Sequence, residues 1–367
     1  MSRPACVTVN LDHLRHNLEV ARRYAAGAHV LAMIKADAYG HGAVPAARAL
    51  AARCGGFGVS SLAEAVRLRE AGVDAQILLV AGCFAARELA EVARHDLQIA
   101  VHDDWQLEAL LAASLPRPLV VWLKIDTGMH RLGFSPAAVR AAHGRLAGSA
   151  NVAEIRFMTH FARADTPEDA FNHSQQQTFA CAAAGLAGAR SLANSAALVA
   201  LPESRGDWVR PGILLYGANP FVDPHPVAAE LKPVMTFASR LLTVRTLVAG
   251  EGTGYGGDWV APAPTRVGIA AMGYGDGYPR HAPTGTPVLL RGRRTRILGR
   301  VSMDLVAVDL EPVAAAAVGD EVVFWGEGLP AWEVARHAGT IAYELFTGIN
   351  ARVPVRYVGG PVSAACA

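Results

Sequence analysis

Eight short apolar runs mark the first 220 residues: HVLAMIKA (29–36), GFGVSS (56–61), QILLVAG (76–82), LQIAVHD (97–103), LVVWLKID (119–126), VAEIRFMTHF (152–161), SLAN (191–194) and GILLYG (212–217). Most are rich in Val, Ile and Leu, the composition of strands buried on both faces. Segments rich in Ala, Leu, Glu and Arg separate them. In SLAEAVRLREAG, Leu62, Ala65, Val66 and Leu68 follow helical spacing and Gly72 supplies a stop. Strands alternating with helices call for a parallel sheet, because each parallel return needs a crossover. A doubly wound open sheet and a closed barrel both satisfy this pattern. Eight repeats in about 220 residues favour the (β/α)8 barrel.

The pattern changes after Lys232. MTFASRLLTVRTLVAG, TPVLLRGRRTRILGRVSMDLVAVDL and GDEVVFWGEG read as short strands separated by turn residues. The expected class is therefore α/β. An N-terminal (β/α)8 TIM barrel over 1–232 is followed by a C-terminal mostly β domain over 233–367, with one helix over 331–347. Hydrophobic residues make up 52% of the 367 and charged residues 18%, enough apolar surface for two cores.

A net charge of +2 without a basic block gives no electrostatic case for nucleic acid or an anionic membrane as partner. The five cysteines (Cys6, Cys54, Cys83, Cys181 and Cys366) are odd in number and form no CxxC pair, so neither a disulfide scaffold nor a metal site is expected. The N-terminal segment carries charges throughout, and no apolar run approaches the roughly 20 residues a bilayer requires. A cytoplasmic location is the expectation.

In a barrel of this kind, chemistry is built where the strands end. The ends of seven of the eight runs carry Lys35, Ser60, His102, Lys124 with Asp126, His160, Asn194 with Ser195, and Tyr216. One polar strand end would mean nothing, but the repetition argues against a purely structural barrel. Lys35 has two readings. Its ammonium either reaches solvent, or it is a desolvated amine able to form a Schiff base with an aldehyde. The second reading points to pyridoxal phosphate or to an aldolase. A phosphate could rest on Ser195 and on the N–H groups of Gly212 and Ile213 in RPGILLYG.

The stretch MIKADAYGHG resembles the pyridoxal-phosphate lysine motif of the alanine racemases. The resemblance continues through KIDTGMHRLGF, THFARAD, LANSAA, VRPGILLYG, GTGYGG, GYGDGYPR and GRVSMD. It implies a homodimer with shared active sites, pyridoxal 5'-phosphate as cofactor and alanine as substrate. Lys35 would carry the cofactor. Tyr39, Asn194, Ser195, the backbone of Gly212 and Ile213, and Tyr343 would hold it through its phosphate. Arg210 would face the pyridine nitrogen, with His160 between it and Tyr255, the second catalytic base. Arg131 and the backbone of Met303 would hold the substrate carboxylate, with Tyr274 and Asp304 on the far side. Lys124 matches a lysine that many members carry as a carbamate.

Racemisation removes the α-proton from one face and returns one to the other, which calls for two bases. Lys35 and Tyr255 are the candidates. A phenol with a pKa of about 10 needs positive potential to serve near neutrality, which a chain Tyr255–His160–Arg210 would supply. Arginine only donates, so a pyridine nitrogen facing Arg210 stays unprotonated. A carboxylate stands there in the basic amino acid decarboxylases of the same fold, which argues against that alternative. The sequence leaves open a broader racemase acting on serine, and a wall-building role against a catabolic one.

Overall fold

The computed structural model describes residues 3–360; Cys366 lies outside them. The chain divides into two compact units. One comprises Leu14–Leu215 and Asn219–Leu231; the other comprises the chain up to His13, Tyr216–Ala218 and the chain from Lys232 onward. The first strand, β1 (Cys6–Asn10), belongs to the latter.

The larger unit is a barrel of eight parallel strands: β2 (His29–Met33), β3 (Gly56–Val59), β4 (Ile77–Leu79), β5 (Gln98–Val101), β6 (Leu119–Lys124), β7 (Val152–Met158), β8 (Arg190–Ser191) and β9 (Trp208–Val209). Successive strands pair in order from β2 to β8, and β9 pairs with β2. Across the remaining seam, the N–H of Asp207 donates to Arg190 O and that of Arg210 to Ala193 O, each at 2.9 Å. The Ser191 hydroxyl donates to Trp208 O at 2.7 Å. Leu31, Leu78, Ala100, Trp122, Met158 and Trp208 form one buried cluster. The Arg156 guanidinium lies over both indoles, 5.3 Å from Trp122 and 5.0 Å from Trp208. Trp122 satisfies its own N–H on Gln98 Oε1 at 2.8 Å.

Two expectations are corrected here. The run GILLYG is not the eighth strand. That strand is Trp208–Val209, and Ile213–Tyr216 is a buried 3₁₀ turn. Pro211 has no N–H to give a strand ladder, and a four-residue apolar run fits any buried element. The segment 331–347 is two helices, Ala331–His337 and Ala342–Thr347. Gly339, at φ 68°, takes the left-handed conformation that ends the first.

The second unit is mostly strand: β10 (Met235–Leu247), β11 (Gly252–Thr253), β12 (Trp259–Val260), β13 (Thr265–Ala270), β14 (Pro287–Leu290), β15 (Arg293–Leu298), β16 (Val306–Asp309), β17 (Glu321–Trp325) and β18 (Val355–Val358). The main sheet runs β13-β16-β15-β14-β17-β10-β1-β18. The long β10 bends at a bulge between Leu241 and Thr243 and pairs with β13 as well, so six strands close on themselves. β1 lies between β10, antiparallel, and β18, parallel, with Val7 and Val9 fully buried. Among the described residues no helix is long and apolar enough to cross a membrane.

Candidate active site

The strand ends of the barrel carry three cations and one histidine. Lys35 follows β2 by two residues, Lys124 ends β6, His160 follows β7 by two, and Arg210 follows β9 directly. Arg131 is exposed on the loop after β6. That loop is fixed by Asp126, whose Oδ1 accepts from the N–H groups of Gly128 at 2.9 Å and His130 at 3.0 Å. Asp126 N–H donates to Phe134 O and Phe134 N–H to Lys124 O, both at 2.9 Å.

These cations act on one another. Lys124 is only 7% exposed. Burial, then the charges of Arg210, Arg131 and Lys35, bring its amine down to about 8, with Asp126 opposing. Burial also lowers the Lys35 amine, Arg131 adds to the effect, and Glu64 opposes it. His160 is held well below its ordinary value, first by burial and then by Arg210, Lys124, Arg131 and Lys35, so its ring is neutral. Burial alone lowers Arg210 to about 10, and it stays a cation at neutral pH.

No carboxylate pairs with Arg210 among the described residues. Its guanidinium donates to Ser191 Oγ at 2.5 Å, to Leu192 O at 3.2 Å and to Thr159 O. A buried cation served only by neutral oxygens favours a negative or electron-rich neighbour.

A second cluster lies beside the first. After Lys35 the backbone enters a left-handed turn, with Ala36, Asp37, Ala38 and Tyr39 all at φ 52–55°. For L-residues this costs about 1–2 kcal/mol each, so neighbours must hold it. The turn buries Tyr39 against Gly212: a Cβ on Gly212 would lie 2.4 Å from the Tyr39 hydroxyl. Gly212 N–H donates to Ser195 Oγ at 2.8 Å, and Leu214 N–H to the same oxygen at 3.4 Å. Asn194 caps the next helix, its Oδ1 accepting from Ala197 N–H at 3.0 Å. Ile213 opens the 3₁₀ turn beyond Gly212. A phenol, a serine hydroxyl and glycine backbone that a side chain would fill form a cradle suited to a phosphate, close to the cations above.

The remaining candidates lie in the β unit. Tyr255 sits in a 3₁₀ turn between β11 and β12 and is 68% exposed. An ion pair between Asp258 and Arg300 flanks that turn. Tyr274 N–H donates to Ser302 O at 3.1 Å and Gly275 N–H to Met303 O at 2.8 Å, so the loops bearing Tyr274 and Met303 clasp each other. A Cβ on Gly273 would meet Ser302 O and Met303 O, each at 2.3 Å. Asp276, fully buried beneath them, pairs with Arg3 at 2.8 Å and Arg352 at 2.9 Å. The Asp304 carboxylate accepts from Arg352 at 2.7 Å. Tyr343 lies on the helix Ala342–Thr347 and is exposed.

Family models for the N-terminal and C-terminal domains of alanine racemase match residues 9–220 and 234–357. The chain belongs to the alanine racemase family. It is 52% identical to the catabolic alanine racemase of Pseudomonas putida over 357 residues, 97% of this chain and 99% of that protein. The catabolic alanine racemase of Pseudomonas aeruginosa is 50% identical over the same shares of the two chains. The crystal structure of the biosynthetic alanine racemase of Pseudomonas aeruginosa superposes with a TM-score of 0.94 at 46% identity, covering 97% of this chain and 99% of that one. Membership agrees with the barrel-plus-β architecture expected from the strand pattern.

Four residues of this racemase-family site were not singled out in the sequence. Ser191 and the Thr159 carbonyl serve Arg210, and Gln175 donates to His160 O at 3.2 Å. None carries a sequence signal, because each role comes from a neighbouring element: a strand end for Ser191 and Thr159, and the helix Ala170–Ala182 for Gln175. The fourth, Glu64, does carry one: SLAE is an S-x-x-E capping box.

Proposed function

We propose that the protein interconverts L-alanine and D-alanine, using pyridoxal phosphate held at the barrel mouth and sites shared between two copies of the chain. The observation that carries this reading is the joining of the Lys35–Lys124–Arg131–His160–Arg210 cluster to the Tyr39–Gly212–Ser195 cradle, in a chain of this family. Pyridoxal phosphate, when bound, supplies an aldehyde for a lysine amine and a conjugated ring that takes up the electron pair left by the α-proton. The protein's own groups do the rest. Tyr39, Ser195 and the Gly212 and Ile213 amides receive the phosphate, with Asn194 ordering the segment and Tyr343 completing it. Arg210, which can only donate, withholds a proton from the ring nitrogen. Lys35, its amine already lowered by burial, exchanges a proton on one face. Tyr255 of the second copy exchanges one on the other, linked to Arg210 through a neutral His160. Arg131 and the Met303 amide hold the substrate carboxylate, with Tyr274 and Asp304 opposite.

Borohydride reduction of the purified protein, followed by peptide mapping, tests the anchor. The expected result is cofactor fixed to the peptide containing Lys35. Fixation at any other lysine rejects the arrangement.

Lys124 is proposed to carry a carbamate, which turns a buried positive charge into a negative partner for Arg131. The free amine titrates near 8 folded against about 10.4 unfolded, so in that window the unfolded chain binds more protons. In buffer free of carbon dioxide, stability should therefore rise with pH from about 8 to about 10.4, and the penalty should be constant below. Lys124→Met should remove that slope and stabilise the protein at pH 7 by about 2–3 kcal/mol in chemical denaturation. Added bicarbonate should stabilise the unsubstituted protein and leave the variant unmoved; no bicarbonate effect rejects the carbamate.

A further inference from the structure

Glu64 is the third residue of the helix Leu62–Glu70, and capping explains only part of its bonding. In the capping box, Glu64 N–H donates to Ser61 Oγ at 3.4 Å and Ser61 N–H donates to Glu64 Oε2 at 3.3 Å. Two shorter bonds go elsewhere. Oε2 accepts at 2.6 Å from Ser60 N–H, at the end of β3. Oε1 accepts at 2.7 Å from Ala36 N–H, the amide immediately after Lys35 and the first of the left-handed turn. One helical turn on, Arg67 donates to Asp37 Oδ1 at 3.3 Å, and that oxygen accepts from Ala43 N–H at 2.8 Å. The helix thus grips the turn at its head and in its middle. None of Ala36, Asp37, Ala38 and Tyr39 is a glycine, so the turn has no intrinsic reason to form.

We propose that Glu64 is a positioning residue for Lys35: its carboxylate ties the Lys35–Ala36 peptide to the end of β3, holds the left-handed turn that seats Tyr39, and sets a negative charge beside the lysine amine. This rests on the reading of Lys35 as the cofactor lysine. The charged groups acting around that amine are Arg131 and Lys124 on one side of the balance and Glu64 on the other, with His160 beside them neutral. Glu64 is the one among them that favours the protonated amine.

The test compares the unsubstituted protein with Glu64→Gln, Glu64→Asp and Ser61→Ala. Two quantities are read: the dissociation constant for pyridoxal phosphate, and the pH midpoint at which the apoprotein recaptures it, which reports the lysine amine. Glu64→Gln should weaken binding about tenfold or more and move the midpoint to lower pH, because the compensating charge is gone. Glu64→Asp keeps the charge but is one methylene too short to bridge both amides, so binding should weaken while the midpoint stays. Ser61→Ala breaks the capping box alone and should change thermal stability without moving either quantity. If Glu64→Gln and Glu64→Asp both behave like Ser61→Ala, the carboxylate is only a helix cap and the proposal falls. If Glu64→Gln does not fold, unchanged binding in Glu64→Asp is enough to reject it. Borohydride fixation in the unsubstituted protein separates the two levels, since fixation away from Lys35 overturns the site and the proposal together.

Discussion

Replacing Lys35 with Ala is expected to lower racemisation by at least about 10⁴-fold in kcat in both directions, because in the proposed arrangement one residue serves as anchor and as base. The variant should fold. Lys35 is half-buried at a strand end, and the core strand before it, with Val30, Leu31, Ala32 and Ile34 buried, is untouched. Loss of a cation from a cluster that also holds Lys124, Arg131 and Arg210 should relieve repulsion rather than create it. The check is turnover measured from each enantiomer, alongside far-ultraviolet circular dichroism. A variant with native secondary structure that retained more than about a hundredth of the activity would remove Lys35 from the mechanism.

Two inactive variants are expected to restore each other. Lys35 and Tyr255 are carried by different structural units, and Tyr255 projects with 68% exposure. If each site takes Lys35 from one copy and Tyr255 from the other, co-expressing Lys35→Ala with Tyr255→Phe gives heterodimers in which one site holds both lesions and the other holds neither. With random pairing half the dimers are mixed, and each has one live site of two, so about a quarter of full activity should return. Sites built within one copy would leave every site in the mixture with a lesion. An affinity-purified heterodimer without activity would therefore reject the shared site, whatever the state of the single variants.

The apolar runs that end in Lys35, Lys124 and His160 were legible because a parallel strand buried on both faces admits few polar residues, and those it admits collect at its ends. β9 was not legible. A strand of two residues has no period to detect, and the longer apolar run beyond Pro211 carries the stronger strand signal. The helix over 331–347 reads as continuous because its apolar spacing tolerates the interruption at Gly339. The left-handed turn is the deepest omission. Its sequence, ADAY, has no glycine, and its conformation is imposed by Glu64 and Arg67, more than 25 residues downstream. Of that arrangement only the SLAE box could have been read, and it announces a helix start rather than a hand on the preceding strand end. β1 is hidden for a related reason: CVTVN alternates over only five residues, and its partners lie more than 200 residues away.

The position of β1 has a consequence for how the chain is made. Synthesis delivers Val7 and Val9 first, but the strands that cover them, β10 and β18, begin at Met235 and Val355. Domains generally fold as units while the chain emerges, and here everything the barrel needs has been made by Leu231. For that interval β1 is an apolar strand without a sheet, tethered to a barrel already able to form. The strand made first is thus among the last to find its place, and the two edges of its ladder are closed only when Val358 has been added.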